Sequence, residues 1–223
     1  DTLYRNIYDP ATFTGTVFKE SLEKYGTKVK TISRKKTFNK SYKKISNHLS
    51  KPLLHSAINL MNESDNLTAE LFVKSIGALD TLPGTWEVGL DSMKSFLAKE
   101  VLIDTSNIRL ADGSGVSRYN LTSAAQLNSL LRWMYNSKYK DDFISTLPKG
   151  GQENSTLEKR LTNEGDLVKA KTGGLSGVRN LAGYLKSRKY GDVAFSILMN
   201  GYTDSSTRYA RVHDQIVKTV IYD

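Results

Sequence analysis

Cysteine is missing from all 223 residues, so no disulfide, thiolate metal site or cysteine nucleophile can form. Histidine occurs only at 48, 55 and 213, in no spacing that suits a metal ion. No apolar stretch approaches the roughly 20 residues that a membrane-spanning helix needs. The opening "DTLYRNIYDP" lacks the pattern of a secretory leader, which suggests a mature or trimmed chain. Neither an internal repeat nor a low-complexity linker interrupts the sequence. The lack of thiols fits a cytosolic protein and an exported bacterial one equally well.

What remains is the composition of an ordinary globular protein, long enough for an ample core. The formal net charge is +9. Its densest basic stretch, "KVKTISRKKTFNKSYKK" from Lys28 to Lys44, carries the aromatics Phe38 and Tyr42. A nucleic-acid groove would gather basic groups on one face with stacking rings among them. Here the other positive charges are scattered among acidic residues. The stretch reads as a solvated strand-and-loop region beside an anionic cell surface, with no nucleic-acid partner.

Helical and strand periodicities alternate along the chain. "DPATFTGTVFKESLEKYG" reads as a helix capped by Asp9, started by Pro10 and stopped by Gly26. "TKVKTIS" and "YKKISNHL" alternate like strands. Two helices, "PLLHSAINLMN" and "LTAELFVKSIGAL", flank a Ser-Asp-Asn triplet at 64–66. "TWEVGLDSMKSFLAKEV" is a further helix, followed by the glycine-containing loop "IRLADGSGVSRYN". "LTSAAQLNSLLRWMYN" is an amphipathic helix capped by Asn120 or Thr122. "DLVKAKTGG", "VRNLAGYLKS" and "GDVAFSILMNG" read as three successive strands, and "SSTRYARVHDQIVKTVIY" closes the chain as a helix. This order predicts an α+β fold in one domain, with a helical lobe over about 50–165 and a sheet with terminal helices from about 1–49 and 166–223.

The triplet has a local reading and a chemical one. Ser64 or Asn66 is a good helix cap, and Glu70 stands where a capping box wants its carboxylate if Asn66 is the cap. The chemical reading needs a partner, and "VKAKTGGLSG" supplies it as Lys171-Thr172-Gly173, 107 residues beyond Ser64. In this order the two stretches match two of the three motifs of penicillin-binding proteins and serine β-lactamases. With "DGSGVSRYNLTSA" and "KAKTGGLSGVRNLAGYL", nearly the whole chain resembles the D-alanyl-D-alanine carboxypeptidase/endopeptidases of the low-molecular-mass class C penicillin-binding proteins.

That resemblance implies a penicillin-binding protein/serine β-lactamase-like fold and a serine acyl-enzyme that hydrolyses D-Ala-D-Ala peptides of peptidoglycan. It implies Ser64 as proton relay, Asn66 as amide donor to the substrate carbonyl, and Lys171 as the charge that assists the relay. Thr172 offers a hydroxyl to the substrate carboxylate, Gly173 lets substrate lie along the strand, and the Gly174 N–H is the expected oxyanion donor. Asp65 takes the variable middle position of its motif. Two departures stand out. The position after Lys-Thr-Gly is Gly174 where the family usually has Thr or Ser, so a hydroxyl is lost; Ser176 matches a position lining the side-chain pocket and compensates in part. Arg118 matches a residue near that pocket, either pairing with an anionic group of the stem peptide or forming a structural salt bridge. Asp112 is a turn former within "ADGSG" rather than a catalytic acid.

The larger departure is the first motif, Ser-x-x-Lys. The string occurs at Ser21, Ser33, Ser41 and Ser137. None suits a nucleophile, which must begin a buried helix with its Lys one turn along. The expectation is therefore of a C-terminal part of such an enzyme, without its nucleophile and itself inactive. The expected setting is the bacterial cell envelope, periplasmic or otherwise extracytoplasmic. Peptidoglycan stem peptides are the expected substrate, and β-lactams bind the parent enzyme as mimics. No cofactor and no metal are implied, and an uncovered sheet edge and apolar face would favour self-association. A β-lactamase or esterase on the same fold, or a non-catalytic cell-wall-binding module, are the alternatives.

Overall fold

The computed structural model describes residues 6–34 and 41–223, and the chain divides into two compact units, Asp1–Ser50 and Lys51–Asp223. The first unit holds helix α1 (Pro10–Lys24). Asp9 caps it, accepting from the Thr12 N–H at 3.2 Å and the Thr12 hydroxyl at 2.7 Å. Gly26 ends it with φ +84°, a left-handed value that glycine adopts without strain. The strands expected at 27–33 and 42–49 do not form; both stretches are irregular. Alternating side chains make a strand only where a ladder forms, and among the described residues no strand or bridge includes either stretch. Lys36 and Phe38 of the basic stretch lie outside the described residues.

The second unit contains α2 (Leu53–Glu63), α3 (Asn66–Asp80), α4 (Trp86–Lys99), α5 (Ala124–Asn136) and α6 (Lys140–Thr146). These are followed by β1 (Val168–Leu175), β2 (Val178–Ser187), β3 (Gly191–Asn200) and α7 (Ser206–Tyr222). The α+β expectation holds, and the three late strands lie where their patterns put them. α6 was not foreseen within its polar stretch, and α5 is capped by Ser123 with Gln126 in a capping box, not by Asn120 or Thr122.

The sheet is antiparallel in the order β1-β2-β3. β1 and β2 join through a two-residue turn at Ser176-Gly177, with Gly177 at φ +71°, and pair from Leu175 opposite Val178 to Val168 opposite Leu185. Alternation sorts their side chains onto two faces. Val168, Ala170, Leu181 and Leu185 face α7, where Val217 and Ile221 complete a core with Leu157 and Leu161. The buried residues of α7 are Ala210, His213, Val217 and Ile221, a helical stripe three and four apart. Burying each large aliphatic side chain of this core contributes about 1.5–3 kcal/mol. Arg160 anchors the preceding loop to α7 through Asp214 at 2.7 Å. On the other face Tyr184 packs with Leu131 and Leu147, and its hydroxyl donates to the Leu131 carbonyl at 2.7 Å.

The helices α3 and α4 meet at backbone distance. A β-carbon at Gly89 would stand 2.0 Å from the Val73 carbonyl oxygen, and one at Gly113 would stand 2.5 Å from a Val73 methyl. Only a bare α-carbon fits at either position, so α3 is gripped between α4 and the loop that follows it.

Candidate functional site

The Ser-Asp-Asn triplet is a helix-to-helix corner. Ser64 ends α2 in the left-handed region, φ +61° and ψ +49°, a conformation costing a non-glycine residue roughly 1 kcal/mol or more. Asp65, rather than Ser64 or Asn66, caps α3: its carboxylate accepts from the Leu67 and Thr68 N–H groups and from the Thr68 hydroxyl. The Thr68 hydroxyl and these amides hold the carboxyl below its ordinary range against a smaller effect of burial. With Asp65 occupied by the cap, Ser64 and Asn66 on either side are left facing a cleft of about 980 Å³.

The expected capping box with Glu70 is also absent. Glu70 reaches across to the loop at 111–120, accepting from Gly113 N–H at 3.1 Å and Ser114 N–H at 2.9 Å, and from the Trp86 indole at 2.9 Å. Burial pushes its pKa up, but the hydrogen bonds from Ser114, Gly113 and Trp86 outweigh it and hold the carboxyl below its ordinary value. Gly113 and Ser114 line the cleft. Asp112 is the turn former expected of it, accepting from the Gly115 and Ser117 N–H groups at 2.7 and 2.6 Å and from the Asn120 amide at 2.7 Å.

β1 forms the opposite wall. The Lys171 ammonium donates to the Ser64 hydroxyl at 2.8 Å and to the Thr172 carbonyl at 2.7 Å. Burial against the helical lobe pulls its pKa from 10.5 down to about 8. Among the described residues the outer edge of β1 is paired only at its start, where Ala170 N–H donates to the Pro148 carbonyl at 3.0 Å and Val168 accepts from Gly150 N–H at 3.2 Å. Backbone groups of alternate residues point to the same edge, so Thr172 and Gly174 turn theirs outward along the open part. Gly173 is not crowded, since an added β-carbon would stop 3.6 Å from Asn180, and its φ is not positive. Its lack of a side chain therefore answers no need of the chain's own packing and leaves the strand bare on the cleft side.

Of the expected residues, Ser64, Asn66, Lys171, Thr172, Gly173, Gly174 and Arg118 line this one cleft. The Asn66 amide makes no hydrogen bond among the described residues. Ser176 is not among the lining residues. It sits exposed in the hairpin turn, and its carbonyl accepts from the Arg118 guanidinium at 2.7 Å, tying the 111–120 loop to the hairpin. Arg118 has no carboxylate partner among the described residues, which removes the structural salt bridge. Asn180 and Asn120 also line the cleft and carried no motif that marked them. Among the described residues no group of three metal-ligating side chains occurs.

The Ser-x-x-Lys strings offer no helix start. Ser21 lies near the end of α1 with its hydroxyl on the Val17 carbonyl at 2.9 Å. Ser137 ends α5, bonded to the Met134 carbonyl at 2.9 Å, and Ser33 and Ser41 lie in irregular segments.

A serine-lysine pair across a cleft, facing a sheet edge with a bare Lys-Thr-Gly strand, defines the penicillin-binding protein class of serine acyl-transfer folds. The chain belongs to the D-Ala-D-Ala carboxypeptidase 3 (S13) family, whose model matches residues 1–220. It is 33% identical over 211 residues to the D-alanyl-D-alanine carboxypeptidase of Actinomadura sp. (strain R39), covering 91% of this chain and 39% of that protein. It is 34% identical over 163 residues to the D-alanyl-D-alanine carboxypeptidase DacB of Haemophilus influenzae, covering 71% of this chain and 34% of that one. The crystal structure of penicillin binding protein 4 from Haemophilus influenzae, complexed with a β-lactam, superposes with a TM-score of 0.79 at 25% identity. That superposition covers 98% of this chain and 53% of the other. The chain thus spans less than half the length of the curated relatives it matches.

Proposed function

We propose that this chain supplies the proton-relay corner and the substrate strand of a peptidoglycan D-Ala-D-Ala carboxypeptidase/endopeptidase, working outside the cytoplasm on stem peptides. The observation that carries this reading is the 2.8 Å contact of Lys171 with Ser64 across the cleft. A serine nucleophile from outside this chain attacks the carbonyl of the D-Ala-D-Ala bond, and its proton leaves for the terminal amine as the bond breaks. The Ser64 hydroxyl both accepts and donates, so it passes that proton on, and Lys171 holds the charge that makes the transfer favourable. With a pKa of about 8, roughly one Lys171 in ten is neutral at pH 7, against fewer than one in a thousand for an ordinary lysine. Asn66 donates its amide to the substrate carbonyl. The Gly174 N–H on the open edge faces the developing oxyanion, and peptide laid beside Gly173 continues the sheet. Thr172 and the free donors of Arg118 take the anionic ends of the substrate. Water then releases the acyl group, and a β-lactam occupies the same path. The open edge of β1 and the exposed Leu67 and Leu71 on α3 support self-association of the isolated chain.

The test is made in the enzyme of which this chain is a part. Ser64→Ala and Lys171→Met are expected to lower hydrolysis of a D-Ala-D-Ala peptide by about 10²–10⁴, whereas the 223-residue chain alone forms no covalent adduct with fluorescent penicillin. Full activity in both variants, or a stoichiometric adduct on the isolated chain, would overturn the assignment.

A further inference from the structure

Charge is very unevenly placed along the chain. Residues 1–50 hold eleven Lys or Arg and four Asp or Glu, net +7, while the other 173 residues, with 21 and 19, carry only +2. The same unit buries none of its described side chains. α1 has no buried residue, and Phe13, Val17 and Phe18 stand exposed on it. Downstream, apolar and basic side chains interleave in the open: Ile32 between Lys30 and Arg34, and Ile45 beside Lys43 and Lys44, with Leu49 between that pair and Lys51. Ile45 is 99% exposed and Leu49 80%. Two pairs, Lys19 with Glu23 at 3.7 Å and Arg34 with Asp9 at 3.8 Å, use carboxylates already counted in that net charge.

A polyanion such as a nucleic acid or a phosphate polymer would account for the lysines but gains nothing from exposed isoleucine and leucine. An anionic bilayer surface uses both, because basic groups sit among the headgroups while aliphatic and aromatic side chains enter the interface. We infer that the Asp1–Ser50 unit is a peripheral membrane-binding surface that holds the protein against an anionic phospholipid bilayer. Attachment is reversible and salt-sensitive, since no helix among the described residues is long and apolar enough to cross a membrane.

The experiment is co-sedimentation of the whole chain with phosphatidylcholine vesicles, with and without roughly one third phosphatidylglycerol. Binding is expected only to the anionic vesicles and is lost at high salt. Replacing Lys28, Lys30, Lys43 and Lys44 together by Gln weakens it on the order of 100-fold, at roughly fivefold or less per charge. An equal exchange at Lys99, Lys138, Lys159 and Lys186 leaves it within about threefold, because those lysines lie outside the basic unit. Ile45→Ser with Leu49→Ser weakens it as well, and both residues are too exposed for their loss to unfold the chain. Failure to pellet with anionic vesicles at low salt would overturn the proposal. So would binding that free polyphosphate abolishes and the Ile45/Leu49 pair does not affect, which would mark a polyanion site instead.

Discussion

Replacing Lys171 by methionine should make this protein more stable while removing the proposed relay. The ammonium is held where burial favours the neutral amine, so the folded state at pH 7 contains a charge it would rather not carry. A fall from 10.5 to about 8 corresponds to about 3 kcal/mol of penalty, at about 1.36 kcal/mol for each tenfold change in protonation. Methionine forfeits the hydrogen bond to Ser64, worth about 1 kcal/mol, but Ser64 and the Thr172 carbonyl both border the open cleft and can turn to water. A net gain of about 2 kcal/mol is therefore expected at pH 7. The sign of the pH dependence is fixed by the depressed pKa. Below pH 8 folded and unfolded lysine are both protonated and the penalty is present in full. Between about 8 and 10.5 only the unfolded state keeps its proton, so wild-type stability rises by about 1.4 kcal/mol per pH unit and overtakes that of the variant between about pH 9 and 10. Urea unfolding of both proteins from pH 7 to 10 measures the difference, and other titrating groups cancel in it. A variant less stable by about 1 kcal/mol at pH 7, or a gain that persists unchanged to pH 10, would refute the reasoning.

Three other outcomes follow from the same structure. Glu70→Ala should destabilise the chain by about 2–3 kcal/mol, since two loop amides and the Trp86 indole lose one acceptor; Glu70→Gln should lose less, and faster amide exchange at Gly113 and Ser114 would accompany both. His213 is fully buried, and neither ring nitrogen finds a hydrogen-bond partner among the described residues. Desolvation, then the Arg160 charge, lowers its pKa to about 4. Its neutral form thus keeps full stability above pH 6.5 and loses up to about 3 kcal/mol as the pH falls toward 4, a slope that His213→Leu should flatten in urea titrations. Gly173→Ala should change stability by less than about 1 kcal/mol, because nothing of the chain crowds that position, yet suppress peptide hydrolysis in the whole enzyme by obstructing the strand; a large stability loss would show that Gly173 serves packing instead.

The sequence declared its helices and late strands because their apolar periods were long and their ends well marked. Within 178–187 alternate residues pack on two faces, Leu181 and Leu185 on one and Ala182 and Tyr184 on the other, and the stripe Ala210-His213-Val217-Ile221 repeats at helical spacing. α6 escaped notice because seven residues are too few for a period to emerge from polar neighbours. The stretches at 27–33 and 42–49 show the converse: alternation advertises a strand, but only a neighbouring backbone makes one. At the site, Ser64 and Lys171 were legible through their motifs, and Asn66 with them. What was not legible is the division of labour around them. Asp65 looked like a spacer and is the cap, while Glu70 looked like part of a cap and reaches to a loop 43 residues away. Both errors have one cause. A carboxylate near a helix start has several amides within reach, and three-dimensional packing selects among them.

The grip on α3 at Gly89 and Gly113 bears on how this lineage can change. α3 begins at Asn66 in the cleft, and its middle turn rests on those two bare positions. A mutation that gives either one a side chain has to push the helix axis, and the cleft corner moves with it. Packing inside the lobe is thus tied to the cleft: a side chain at 89, which lies outside the cleft, displaces its corner as surely as one at 113, which lines it. Exposed Leu67 and Leu71 on the same helix carry no such constraint from packing. A library of variants scored for folding alone and again for turnover in the whole enzyme would separate these two classes of position along a single helix.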